Sequence, residues 1–454
     1  MIISAIIRIY HGFVLVASGE RKLMEEFVIR ILEADNPWLS HKKFNDWYKA
    51  FLPKKFIPRN MVLKPDHRVC LVVGPRQVGK STLIWKNLSE THKPFLFLNC
   101  EEPGLRQWMT SPAVFWEDIR KLVESPVPLF FEEIQRLPEA GLFLKGLVDR
   151  KIGVPLFATG SSSFDLEAKT RESLAGRALR HLMLPLSLAE RAWPLDGPEI
   201  MIARHLQNQM EKMLCYGGYP TVVLSSQPEK ELAGLVEAFI IRDASDRFRI
   251  RHTAAFRKVL ELAASQIGNL CNFSEWSAHS GVSNDTVSEY AHLLQETHIL
   301  RLLRPFVGGK RAEITSAPKV YFIDNGIRNL LFGGFGAVQN RPDRGALWEN
   351  LAFTEIYKAV NPVLDSIHYW RSKAGAEVDF VIQHQGRIAS CEIKAGDSRG
   401  KIPRASRSFI EAYQPELFLA VSGQSHPLME IGNTTVQFIR LSELGGAIAK
   451  WIDA

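Results

Sequence analysis

Two stretches of this 454-residue chain combine residue types and spacings that can do chemistry. The first is "GPRQVGKST", residues 74–82, which fits G-x-x-x-x-G-K-[ST]. An apolar run, "RVCLVVG", leads into it, and a helical pattern follows. Gly74 and Gly79 let the backbone wrap around phosphates. The loop between them, Pro75, Arg76, Gln77 and Val78, together with the helix N-terminus, supplies positive potential. Lys80 reaches the β and γ phosphates, and Ser81, followed by Thr82, offers its hydroxyl to Mg²⁺. Bound ATP with Mg²⁺ is the chemistry this pattern serves.

The second stretch is "AEVDFVIQHQGRIASCEIK", residues 376–394. Two β-like runs flank "HQGR", so it reads as a hairpin. Side chains alternate across a strand, which puts Glu377 and Asp379 on one face, and Glu392 and Lys394 on one face of the return strand. One register brings Asp379, Glu392 and Lys394 together. Upstream, "ALWENLAFTEIYKAV" has helical period and can carry Glu349 to the same edge. Paired carboxylates such as Asp379 and Glu392 hold Mg²⁺, and a lysine can position or deprotonate water there. Taken alone, an acid-x-Lys strand is more often a salt-bridged solvent face.

Three further groups bear on the nucleotide. "PLFFEEIQ" ends an apolar run in two acids. Glu133 fits the base that orients water, and Glu132 fits the magnesium-side carboxylate. "ATGSSS" follows the next strand-like run, where Ser161 or Ser162 can sense the γ phosphate. "LAGRALR" carries Arg177 and Arg180, either of which can reach a phosphate in its own chain or from a neighbouring copy.

The elements that must position these residues follow from pattern. "RVCLVVG", "FLFLNC", "PLFFEE" and "VPLFATGSS" are short, wholly apolar strands separated by amphipathic stretches. That alternation predicts an α/β domain with a parallel sheet, over 60–195. Residues 1–59 form an N-terminal extension and helical lead-in. Residues 196–305 are helical in period and end in a helix-turn-helix order. One helix closes near Ser280-Gly281, another starts near Asn284, and "ILRLLRPF" follows as a strand, which is the order of a winged helix. Its second helix is poor in basic residues: Asn284 suits base edges, while Asp285 and Glu289 do not, and Arg301, Arg304, Lys310 and Arg311 lie on the wing. Residues 306–454 return to alternating strands and helices.

Composition bounds the class. With 46% hydrophobic and 23% charged residues the chain reads as globular. Its five cysteines, at 70, 100, 215, 271 and 391, form no C-x-x-C pair, which favours a reducing cytoplasm over a zinc site or disulfide framework. The apolar start, "MIISAIIRIYHGFVLVAS", is broken by Arg8 and His11 and falls short of a membrane span, so no membrane role is expected. Met24 offers a second start. A formal charge of +7 mildly favours an anionic partner.

In their order, "GPRQVGKST", "FFEEIQ", "ATGSSS", "LAGRALRHLMLPLSLAE", "YGGYP", "VYFIDNGIRNLL", "YWRSKAGAEVDFVI" and "CEIKAG" resemble prokaryotic AAA-type ATPases with a C-terminal domain of unknown function. The resemblance runs from about residue 55 to the end. It implies an AAA core, a helical and winged-helix middle, and a restriction-endonuclease-like tail. There Glu349, Asp379, Glu392 and Lys394 match the PD-(D/E)XK nuclease arrangement. Glu132 departs from the family's usual Asp and sits one methylene further out. The expectation is an ATP-hydrolysing protein whose tail acts on nucleic acid, DNA ahead of RNA, with homo-oligomers if Arg177 works between copies. The alternative is an ATP-gated switch whose tail docks a protein partner.

Overall fold

The structure, a computed structural model, describes residues 26–40, 44, 47, 49, 52–161, 172–238, 250, 252–308 and 317–454. The chain divides into two compact units. One holds 1–56, 61–75 and 79–183; the other holds 57–60, 76–78 and 184–454.

The first unit is built on a five-stranded parallel sheet: β1 (Val69–Gly74), β2 (Leu96–Asn99), β3 (Leu129–Glu132), β4 (Leu156–Ser161) and β5 (Ala178–Leu182), in the order β2-β3-β4-β1-β5. Every residue of β1 is buried, which is why the strand is apolar throughout instead of alternating. Helix α1 (Lys80–Ser89) leaves the loop after β1 with Gly79 as its N-cap and no side-chain cap. Ser111 accepts from the Val114 amide to start α2 (Pro112–Leu122), with proline at the first position, where no N–H is needed. α3 (Ala140–Asp149) packs against α2. Phe115, Phe131 and Phe143 form the aromatic centre on this side. Trp85, Phe95, Phe97 and Phe130 form another cluster. The edge strand β2 is covered by Asn36, whose buried amide accepts from the Phe97 N–H at 2.7 Å and donates to its carbonyl at 2.8 Å.

The second unit contains a three-helix group: α4 (Thr253–Ser265), α5 (Phe273–Ser280) and α6 (Asn284–Glu296). α5 stops at Gly281, which takes the left-handed conformation at φ 72°, and Ser283 caps α6 through the Thr286 amide. These ends fall where the sequence places them. β6 (Leu300–Leu303) then pairs antiparallel with β7 (Lys319–Phe322), across the 305/306 boundary drawn from sequence. Lys310 and Arg311 lie outside the described residues.

A six-stranded mixed sheet follows: β8 (Asp365–Arg371), β9 (Glu377–His384), β10 (Arg387–Ile393), β11 (Leu417–Ser422), β12 (His426–Ile431) and β13 (Thr434–Arg440), ordered β12-β13-β11-β10-β9-β8. Helix α7 (Arg344–Ala359) packs against β7 and β10, and α8 (Arg404–Tyr413) packs against β9. Phe306, Trp370, Phe409 and Tyr413 form an aromatic cluster in this unit. β9 and β10 form the expected hairpin. Its two-residue turn is Gln385 and Gly386, both at positive φ (48° and 84°), the conformation that suits a right-twisted hairpin.

Candidate functional site

The nucleotide loop sits at the carboxyl end of β1, where a parallel α/β sheet presents its ligands. Gly74 has φ +150°, and a Cβ there would lie 2.0 Å from the carbonyl oxygen of Met183. Only glycine fits. Gly79 (φ +94°) and Gln77 (φ 60°) complete the turn. Lys80 is buried, and its ammonium donates to the carbonyls of Gly74 (3.1 Å) and Pro75 (2.9 Å). Ser81 donates its hydroxyl to Glu132. These two hard oxygen groups, Ser81 at the start of α1 and Glu132 at the end of β3, fit Mg²⁺. Thr82 is the next residue of that helix. Within the second unit, Arg59 donates to the carbonyl of Val78 at 3.4 Å and pairs with Glu190 at 3.2 Å. Arg59 carries no motif and was not foreseen.

Burial pushes the Glu132 carboxyl above its ordinary pKa. The Ser81 bond opposes that rise, and the neighbouring charges of Glu133 and Glu101 add to it. Glu133 follows in the left-handed conformation (φ 51°), which turns it out of the strand line. Its N–H donates to the buried Thr159 hydroxyl at 3.0 Å, and Gln135 donates to its carboxylate. Thr159 was missed by reading "ATGSSS" from its far end; the signal was a hydroxyl inside an otherwise apolar strand. Ser161 ends β4 beside Gly74, while Ser162 lies outside the described residues.

Arg177 stands at the other end of the sheet. Its carbonyl accepts from the Val69 N–H at the start of β1, and its side chain binds Asp149 at 2.6 Å. The length of β1 separates it from the loop, about 20 Å at roughly 3.3 Å per residue. Reaching its own chain's phosphates is therefore corrected. "AGR" shows an arginine after a turn but not how far down the strand it enters.

In the tail, β9 and β10 pair from Arg387 opposite His384 to Cys391 opposite Phe380. One further step puts Glu392 opposite Asp379. Asp379 accepts from the Ile393 N–H at 2.8 Å. Glu392 is buried, and takes Lys394 at 2.7 Å and the Ser406 hydroxyl of α8 at 3.3 Å. Burial, then the charges of Glu349 and Glu392, hold the Asp379 carboxyl well above the usual range. Burial likewise raises Glu392, with Lys394 and Ser406 opposing. For Lys394 burial works downward, but the bond to Glu392 and the charges of Glu392, Asp379 and Glu349 lift it above the lysine value. A plain solvent face would not bury Glu392 or crowd three carboxyls. The crowding calls for protons or a cation, and two oxygen-donor side chains with water suit Mg²⁺. Among the described residues, no group of three or more His, Cys, Asp or Glu side chains stands ready to hold a metal ion.

Glu349 is held from a quarter that sequence reading overlooked. Lys319 at the start of β7 is buried; it lies 3.4 Å from Glu349 and pairs with Glu377. The Tyr321 hydroxyl donates to Glu349 at 2.5 Å. A lysine opening the buried run "KVYF" was the available signal. Against the cost of burial, the charges of Glu349, Glu377 and Asp379 raise the Lys319 pKa.

An AAA domain family matches residues 66–192, and two families described as domains of unknown function, DUF8612 and DUF4143, match 207–337 and 344–444. The first fold is thus an AAA-type, P-loop domain of the ATP-binding class. An uncharacterised protein of Mycobacterium tuberculosis is 27% identical over 350 residues, covering 76% of this chain and 73% of that protein. One of Haemophilus influenzae is 26% identical over 372 residues, covering 76% and 87%. Among solved structures, the Thermotoga maritima RuvB Holliday junction branch migration motor aligns with 52% of this chain and 81% of its own, at 17% identity and TM-score 0.26. Among the described residues no helix is long and apolar enough to cross a membrane.

Proposed function

We propose that this protein is an ATP-hydrolysing AAA-type enzyme whose nuclease-like tail cuts nucleic acid, DNA ahead of RNA. The observation that carries the reading is a hairpin whose register, continued one step past Cys391 and Phe380, sets Asp379 opposite Glu392, with Asp379 on the Ile393 N–H, Lys394 on Glu392 and Glu349 in electrostatic reach. At the nucleotide loop, Lys80 now bonds the carbonyls of Gly74 and Pro75 and would turn to the β and γ phosphates of bound ATP, Ser81 and Glu132 would hold Mg²⁺, and Glu133 would orient the attacking water. In the tail, Asp379 and Glu392 would hold a divalent ion, which would supply Lewis acidity toward a water and a phosphodiester. Lys394 positions that water. The helix-turn-helix and the β6–β7 pair act as a winged-helix relay between sites; α6, with Asp285 in its first turn, is ill suited to phosphate. Arg177 serves between copies.

A second reading is an ATP-gated switch whose tail docks a protein. Glu132 favours it: its carboxylate is bonded to Ser81 and sits one methylene further out than an Asp would, which suits slow hydrolysis.

Cleavage of linear, circular and single-stranded DNA and of RNA, with Mg²⁺ or Mn²⁺ and with or without ATP, separates the two. The expected result is cutting that Asp379→Ala abolishes, and ATP turnover that Lys80→Ala abolishes. ATP turnover without cutting of any substrate would favour the switch. Normal turnover by Lys80→Ala would refute the nucleotide-site assignment.

A further inference from the structure

Glu349 belongs by sequence to the tail's acids, yet its bonded partners come from the preceding hairpin. Lys319 and Tyr321 alternate on β7, and both reach Oε1 of Glu349, at 3.4 and 2.5 Å. Gly268, between α4 and α5, backs the same carboxylate: a Cβ there would lie 3.3 Å from Oε2. Gly268 is itself bonded to β7 through the Val320 carbonyl at 2.9 Å. Tyr321 is fixed in turn by stacking on Phe353 of α7, at 4.9 Å between centroids. Lys319 also pairs with Glu377, whose exposed side faces Arg371 at 3.8 Å. Lys394 is engaged with Glu392.

We propose that Lys319 is a built-in cation: it holds Glu349 in place and occupies the position beside it where a second metal ion would sit. This rests on the proposed cation site at Asp379 and Glu392, and it limits that site to one divalent ion. Lys319 offers only a charge and donors. Removing it leaves Glu349, whose charge reaches Asp379, with Tyr321 but no cation partner, so that it can help complete a second cation position. Lys319 is thus a positioning residue, and the β6–β7 pair carries it to the tail.

The test is Mn²⁺ binding to the full chain, counted by electron paramagnetic resonance in a Ser81→Ala background that disables the nucleotide site. About one ion per chain is expected, falling to none in Asp379→Asn. Lys319→Met is expected to bind about two, and Lys319→Arg about one. Because Lys319→Met leaves Glu349 without its ion partner, Lys319→Met with Glu349→Gln is the folding control, expected to return to about one ion. One ion in both the parent protein and a folded Lys319→Met overturns the role of Lys319 while leaving the tail site standing. Two ions in the parent also overturn it. No ion in the parent refutes the tail site itself, and the inference with it.

Discussion

The nucleotide loop and the tail acids are made in opposite ways. The loop is a property of backbone. Gly74, Gln77 and Gly79 set its path by dihedral angles, and nine consecutive residues specify it. The tail is a property of side chains. Glu349 comes from α7, Lys319 and Tyr321 from β7, Asp379 and Glu392 from the hairpin, and Ser406 from α8. A site made of backbone is announced by a motif. A site gathered from distant elements is announced only by its pairing register.

The contrast predicts different fragility. Gly74→Ala forces a Cβ to within 2.0 Å of the Met183 carbonyl at a φ of +150°. The expected cost is at least about 3 kcal/mol, with loss of nucleotide binding, measured by denaturant melts and calorimetric titration. Wild-type stability for this variant would break the comparison. The carboxyls give the middle-sized effect. A carboxyl whose folded pKa is raised contributes fully below its unfolded value of about 4, and that contribution is lost as pH rises through its folded value. Asp379→Asn removes such a group. Without divalent ions it should therefore melt higher than wild type at pH 8, with the gain vanishing near about pH 4. Glu132→Gln should show the same sign with a smaller gain, since Ser81 already favours the charged form. Thermal melts across pH check both; equal gains would mean the two sites tolerate charge alike. Tyr321→Phe should give the smallest change, about 1 kcal/mol for one hydrogen bond, with the fold intact.

The same contrast explains what the sequence made legible. The loop, the α/β sheet, the ends of α5 and α6, and the β9–β10 hairpin all rest on local rules: glycine geometry, apolar runs, caps and alternation. The facing of Asp379 and Glu392 followed once alternation and turn were combined. Lys319 and Tyr321 did not, because a lysine in "KVYF" looks like any strand-edge charge until β7 is known to approach α7. Arg59 was hidden by distance along the chain, and Arg177 by its depth along the sheet. Thr159 was hidden by an expectation fixed on the serines after it.

The Gln385–Gly386 turn makes the tail a matter of parity. Because faces alternate with every residue, one amino acid inserted there, if absorbed as a register slip, would turn Glu392 and Lys394 away from Asp379, although every acid and lysine would still be present. A second inserted residue would turn them back. Counting residues around the turn is thus a stricter criterion for a working relative than counting acids.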